Sequence, residues 1–127
     1  MRLLGIDYGS KRVGLATADT ESNMAFPKSV ILNDNNLIKN IKEISDKEKI
    51  EKIVLGESKN LNGKDNEISE DIRKFKLVLE AELDKEVILQ PEFYTTYQAS
   101  RIQGDSEMID ASAATIILQS YLDKFKN

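Results

Sequence analysis

Three acidic residues from separated parts of the chain have the type and setting of metal ligands: Asp7, Glu92 and Asp110. Asp7 and Glu92 each come shortly after an apolar run, and Asp110 precedes a stretch of small residues. Mg²⁺ and Mn²⁺ favour oxygen ligands, and two such ions about 4 Å apart can promote phosphodiester hydrolysis by water. The local patterns also permit a turn residue at Asp7, a surface acid at Glu92 and a helix N-cap at Asp110.

The composition excludes several other chemistries. The 127 residues contain no Cys and no His, so thiolate nucleophiles, imidazole bases, disulfides and Cys/His zinc sites are all excluded. Carboxylates must therefore carry any catalysis. The net charge of -4 disfavours binding of nucleic acid through a broad basic face, although a bound divalent cation would offset it locally.

The elements that must position these acids follow from the hydrophobic pattern. Strands are predicted at 3–6, 13–17, 29–32, 53–55 and 86–90, and helices at about 35–48, 68–83, 95–104 and 110–125. The pattern predicts a polar loop from Gly56 to Gly63, and Pro91 is expected to end the fifth strand. One domain spanning 1–127 is expected, an α/β fold whose five-stranded mixed sheet has helices on both faces.

The carboxyl ends of parallel strands are where such sheets usually bind ligands. Asp7, Glu57 and Glu92 all follow predicted strands closely, which adds Glu57 as a candidate fourth metal ligand. A surface loop acid is the other interpretation of Glu57. The chain has no apolar run long enough to span a membrane, and Asp7 comes too early for a signal peptide, so a cytoplasmic protein without membrane contact is expected.

The opening segment resembles a known family. Residues 5–19, GIDYGSKRVGLATAD, are similar to the opening signature of the YqgF-type family of Holliday junction resolvases and pre-16S rRNA nucleases. The segment around Glu92, with Thr95 and Thr96 after it, resembles the family's Asp-Glu-Arg-Leu-Thr-Thr motif. The segment from Asp110 resembles the family's terminal helix, so the similarity covers nearly the whole chain.

The resemblance implies an RNase H-like fold with Asp7, Glu92 and Asp110 as the acidic catalytic site, holding Mg²⁺ or Mn²⁺. It also implies that Lys11 and Arg12 contact substrate phosphate. The implied substrate is nucleic acid: precursor rRNA trimmed at the 5′ end of its small-subunit portion or, alternatively, branched DNA. The protein would act as a monomer or a homodimer, the dimer being expected of a junction resolvase.

The sequence departs from the family pattern in three places. Gly56-Glu57-Ser58 stands where the family has Gly-Leu-Pro, and Pro91-Glu92-Phe93-Tyr94 replaces Asp-Glu-Arg-Leu. The loop before Asp110 is short and acidic rather than basic. These changes leave open a non-catalytic binding protein, although keeping three mutually repelling acids argues for activity.

An ATPase of the actin and Hsp70 type is a further alternative. The chain length argues against it, because those proteins close two such domains around the nucleotide.

Overall fold

The fold is a single five-stranded sheet between helices, seen in a computed structural model. The structure describes residues 1–59, 69–93 and 106–124, and the side chains of 1–57, 70–91 and 113–124. The elements along the chain are β1 (Arg2–Tyr8), β2 (Arg12–Asp19), β3 (Met24–Leu32), α1 (Leu37–Lys47), β4 (Lys52–Lys59), α2 (Ser69–Leu83), β5 (Glu86–Phe93) and α3 (Ser106–Asp123). The strand order is β3-β2-β1-β4-β5.

The pairing of the strands makes the sheet mixed. β2 is antiparallel to both β1 and β3, whereas β4 lies parallel to β1 on one side and to β5 on the other. The predicted α/β fold class is therefore confirmed. β1, β4 and β5 end at one edge of the sheet, which we call the carboxyl edge.

Alternating residues of the central strands bury two separate apolar layers. In β1, Leu4 and Ile6 pack in the layer that contains the core residues of α1 and α2. Leu3 packs in the other layer, with apolar residues of α3. Because side chains alternate between the faces of a strand, odd positions of β1 face α3 and even positions face α1 and α2. The predicted helices on both faces are confirmed.

All five strands are longer than the sequence predicts, and β3 begins at Met24 and runs through Pro27 rather than starting at 29. β4 continues to Lys59, so Gly56-Glu57-Ser58 is strand rather than loop, and β5 passes through Pro91 to Phe93. Both predicted ends are therefore wrong. Among the strands that the structure describes, β5 lies at the edge of the sheet, with a neighbouring strand on one side only, so a residue without an N–H group is tolerated there. Glu92 consequently lies within β5, in register with Ser58 of β4.

The last helix begins earlier than predicted. α3 starts at Ser106, so Asp110 lies in its second turn and is not the N-cap. The segment from 106 to 110 contains no Gly or Pro, so its sequence does not oppose a helix that begins before Asp110. The short helix predicted at 95–104 lies outside the described residues.

The opposite, amino edge of the sheet is held by charged pairs. The Arg2 guanidinium donates to the Glu48 carboxylate at 2.8 Å, and Lys28 Nζ lies 3.4 Å from the other oxygen of that carboxylate. The hydrogen bond from Lys28, together with the positive charges of Lys28 and Arg2, lowers the pKa of Glu48. These contacts join β1, β3 and the end of α1 at the edge away from Asp7.

Candidate active site

Asp7 occupies the carboxyl edge of β1 on the face that α3 covers. Its neighbour Tyr8 packs on the other face, with its ring centroid 4.5 Å from that of Phe75. In β2 the residue opposite Asp7 is Gly14, which brings no side chain to the carboxylate. Asp7 is partly buried and already engaged in an interaction. The strand thus holds this carboxylate on a rigid support at the edge of the sheet.

α3 rests directly on the backbone of β1. A Cβ atom added to Gly5 would lie 2.8 Å from Leu118 Cβ and 3.1 Å from the carbonyl oxygen of Ala114. Only a residue without a side chain permits this approach. The contact fixes the height and position of α3 above the row of β1 that contains Asp7.

The direction of α3 places its N-terminal half near Asp7. Tyr121 and Leu122, late in the helix, line one cavity together with Met1 and Leu3, at the start of β1. Ala114, two turns earlier, lies over Gly5 in the middle of that strand. The helix therefore runs opposite to β1, and position 110, one turn before Ala114, lies toward the carboxyl edge on the row of α3 that includes 114 and 118.

Position 92 belongs to the same face of the sheet. Ile88 of β5 packs in the layer that contains the core of α3, and strand alternation assigns positions 90 and 92 to that face as well. Gln90 pairs with Gly56, so Glu92 stands two residues further toward the carboxyl edge. β5 thus carries an acidic residue near the end of its α3-facing row.

Glu57 is separated from these three positions. Ile53 and Leu55 of β4 pack in the layer of α1 and α2, and a Cβ at Gly56 would meet Ile117 of α3 at 2.5 Å. Alternation therefore places Glu57 on the face opposite to Asp7. The structure does not bring this candidate fourth ligand together with Asp7.

The backbone thus brings positions 7, 92 and 110 to one edge and one face of the sheet. The side chains of Glu92 and Asp110 lie outside the described ones, and the side chains that are described include no group of three candidate metal ligands. Ligation by Asp7, Glu92 and Asp110 therefore remains a proposal that rests on strand register and helix packing.

Lys11 and Arg12 lie in and beside the turn that joins β1 to β2. Arg12 begins β2 two residues before Gly14, and alternation places it on the same face as Asp7, diagonally across the two strands. Lys11 is exposed at the tip of the turn. Both cations therefore stand at the carboxyl edge, where they could meet a phosphate group held near Asp7.

Asn33 fixes this turn, a role that the sequence did not reveal. Its Nδ2 donates to the carbonyl oxygen of Gly9 at 2.8 Å, and its backbone N–H donates to the carbonyl oxygen of Lys11 at 2.9 Å. In the sequence Asn33 appears only as the first member of an asparagine-rich segment that ends β3. The contact depends on β3 lying beside β2, which the local pattern does not specify.

Replacing Asn33 with alanine is expected to loosen the turn. The loss of one partly buried hydrogen bond should lower the free energy of unfolding by about 1 kcal/mol, and substrate affinity should fall more than turnover because Lys11 and Arg12 become less ordered. Asn36→Ala is the matched control, since Asn36 makes no side-chain cap hydrogen bond. Urea denaturation and KM measurements check the prediction, and equal effects of the two substitutions would contradict it.

Comparison with known proteins identifies the family. The model of the RuvX family, described as Holliday junction resolvase, matches residues 1–124. The chain belongs to the RuvX family. This is the YqgF-type family that the opening segment resembles, so the predicted membership is confirmed. The assignment supports a nucleic-acid hydrolase and leaves the ATPase interpretation without support.

Relatives and a solved structure agree with the assignment. The chain is 38% identical to a protein of Clostridium tetani (strain Massachusetts / E88) named "Putative pre-16S rRNA nuclease", over 100% of this chain and 99% of the relative. A protein of the same name from Caldanaerobacter subterraneus subsp. tengcongensis is 40% identical over the same shares of the two chains. The RuvC of T. thermophilus, solved in complex with a Holliday junction substrate, superposes with a TM-score of 0.62 at 16% identity, covering 98% of this chain and 95% of that one. The RNase H-like fold is thereby confirmed, as is the nuclease class.

Proposed function

We propose that this protein is a metal-dependent nuclease that trims the 5′ end of the 16S portion of precursor rRNA. The observation that carries the proposal is the placement of positions 7, 92 and 110 at one edge and on one face of the sheet. The two pre-16S rRNA nuclease relatives, matched over the full chain, favour this substrate over others. Residues 1–127 would act as a single nuclease domain.

The donor set of the site fits a hard divalent cation. Its candidate ligands are all carboxylates, and a chain without Cys or His has no soft or nitrogen ligands that would favour zinc or copper. Asp7, Glu92 and Asp110 would hold Mg²⁺ or Mn²⁺. When bound, the metal supplies charge neutralisation at the phosphate and makes water a stronger nucleophile at neutral pH.

The remaining chemistry belongs to the residues of the chain. Without an imidazole, a carboxylate oxygen of the site or the solvent must accept the proton of the attacking water. Lys11 and Arg12 would bind a substrate phosphate, which matters in a chain of net charge -4. Gly14, opposite Asp7 in β2, adds no side chain beside that carboxylate.

The substrate is tested by cleavage of a panel under matched conditions. Precursor 16S rRNA, an unrelated single-stranded RNA and a four-way DNA junction are each incubated with Mg²⁺, with Mn²⁺ or with EDTA. We expect metal-dependent trimming of the precursor rRNA, with slower or no cleavage of the other two. Absence of metal-dependent cleavage on all three substrates would overturn the proposed activity and favour a non-catalytic binding protein.

Junction resolution is the second candidate. The RuvX description and the fold shared with a RuvC that binds a Holliday junction favour it. A resolvase that cuts two strands symmetrically is expected to act as a homodimer, whereas trimming of one RNA end requires only a monomer. Preferential cleavage of the junction, together with a dimeric mass in sedimentation, would replace rRNA by branched DNA as the substrate.

The proposed place of action is the cytoplasm, where bacterial precursor rRNA is processed. No helix in the described part of the chain is long and apolar enough to cross a membrane. The proposed partner is nucleic acid alone, with no membrane contact.

A further inference from the structure

Two buried polar atoms of the described side chains have no hydrogen-bond partner. They are the Oε1 atom of Gln90 and the Oγ atom of Ser45. Gln90 is 5% exposed and Ser45 is fully buried. A buried acceptor without a partner lowers stability, and native proteins retain few of them. Each therefore calls for a specific explanation, such as an ordered water, an ion or a functional contact.

Gln90 lies beside the candidate active site. It occupies the α3-facing row of β5, two residues before Glu92 and opposite Gly56. The preceding member of that row, Ile88, is apolar and packs in the α3 layer. Gln90 thus places a long amide side chain between the apolar Ile88 and the acidic position 92, where β5 approaches the carboxyl edge.

Ser45 is in a different setting. It lies on α1, in the helix layer on the other face of the sheet from Asp7, and its carbonyl oxygen accepts a hydrogen bond from Ile50 at the end of that helix. β4 begins two residues after Ile50, at Lys52, on the amino edge of the sheet. Like Gln90, Ser45 therefore has a buried oxygen without a hydrogen-bond partner, but Ser45 lies far from the carboxyl edge.

We infer that Gln90 Oε1 is an acceptor for the hydration shell of the divalent cation bound at positions 7, 92 and 110. The inference rests on the proposed function. Mg²⁺ keeps several waters when carboxylates bind it, and those waters need acceptors in the second coordination shell. An amide oxygen meets this need without adding a fourth negative charge to three acids. Gln90 is therefore a positioning residue that acts through water. Its unpartnered oxygen destabilises the metal-free protein, and the oxygen gains a hydrogen bond when the hydrated cation binds.

Gln90→Met tests the inference, since methionine has a similar length and no strong acceptor. The metal-free variant should have a higher Tm than the native protein, because the unpartnered oxygen is gone. Its affinity for Mn²⁺, measured by calorimetry, should fall about 10-fold, the lower end of the range for second-shell substitutions. Gln90→Glu keeps oxygen acceptors at that position and should bind Mn²⁺ at least as tightly as the native protein.

Ser45→Ala is the matched control. It also removes a buried oxygen without a partner, so its metal-free Tm should rise, but its affinity for Mn²⁺ should stay at the native value. A lower metal-free Tm for Gln90→Met, or an equal loss of Mn²⁺ affinity in Ser45→Ala, would overturn the inference. Either result would mean that Gln90 serves packing alone or that buried substitutions in general disturb metal binding.

Asp7→Asn separates failure of the inference from failure of the proposed function. If Asp7→Asn loses Mn²⁺ affinity while Gln90→Met retains the native value, the metal site stands and the role of Gln90 is overturned. If Asp7→Asn binds Mn²⁺ as the native protein does, the proposed site itself is wrong, and the role of Gln90 falls with it.

Discussion

Replacing Asp7 with asparagine should lower metal-dependent cleavage by about 100-fold or more, since even second-shell substitutions at metal sites cost about 10- to 100-fold. Asparagine keeps the size of the side chain but removes its charge, and an amide nitrogen that cannot ligate a cation replaces one of the two carboxylate oxygens. Affinity for Mn²⁺ should fall in parallel. Initial rates on precursor rRNA and calorimetric titration check both parts.

Glu57→Gln is the matched control for Asp7→Asn. Both residues are acids near the carboxyl edge on adjacent strands, and both substitutions exchange a carboxylate for an amide. Glu57 lies on the face of α1 and α2, so its substitution should leave cleavage and Mn²⁺ affinity within about twofold of native, the size of an ordinary surface change. Equal losses for the two variants would show that the sheet face does not determine which acids bind metal.

Replacing Gly5 with alanine should both destabilise the fold and reduce cleavage. The added methyl group would meet Leu118 Cβ at 2.8 Å and the Ala114 carbonyl oxygen at 3.1 Å, neither of which can move without the helix. Overpacking of this kind costs about 1–3 kcal/mol. Because α3 carries position 110, its displacement should also move Asp110 away from Asp7 and lower turnover. Urea denaturation and cleavage rates measure the two effects.

Gly56→Ala controls for the loss of a glycine beneath the same helix. Its added methyl group would meet the Ile117 Cδ1 atom at 2.5 Å, the far end of a side chain that can rotate away. The free energy of unfolding should therefore change less than in Gly5→Ala, and turnover should stay closer to native. A larger loss in Gly56→Ala would mean that the helix position is set over β4 rather than over β1.

The placement of Asp7 could be predicted from sequence because its signals are local. An apolar run, an acid and a glycine-containing turn follow one another within a few residues, and the antiparallel return of β2 fixes their geometry. The order of strands and helices was equally accessible, since the hydrophobic period changes clearly between elements. These local patterns were enough for the fold class.

The face of Glu57 could not be predicted. Ile53-Val54-Leu55 is apolar throughout because β4 is buried on both faces, so the alternation that distinguishes one face from the other is invisible in the sequence. Because a loop was predicted from Gly56 onward, strand alternation could not be applied to Glu57. Assignment to a face became possible only when the neighbours of Ile53, Leu55 and Gly56 were known.

Contacts between distant segments account for the other missed features. The continuation of β5 through Pro91 depends on its edge position, which belongs to the topology rather than to the residue. The hydrogen bond from Asn33 to the turn at Gly9 requires β3 to lie against β2. The lack of a partner for the Gln90 oxygen becomes apparent only when α3 covers the sheet. The ligand role of Asp7, Glu92 and Asp110 stays a prediction from sequence, whereas the neighbouring residues that would support it became visible only in the fold.

The most direct test of the central claim is the anomalous scattering of Mn²⁺ in crystals of the protein. We expect an anomalous peak at the carboxyl edge on the α3 face, bound by oxygens of Asp7, Glu92 and Asp110 at roughly 2.1 Å, the distance typical of Mg²⁺ sites. A peak on the opposite face at Glu57, or no peak near Asp7 at saturating Mn²⁺, would contradict the proposed metal site and the nuclease mechanism built on it.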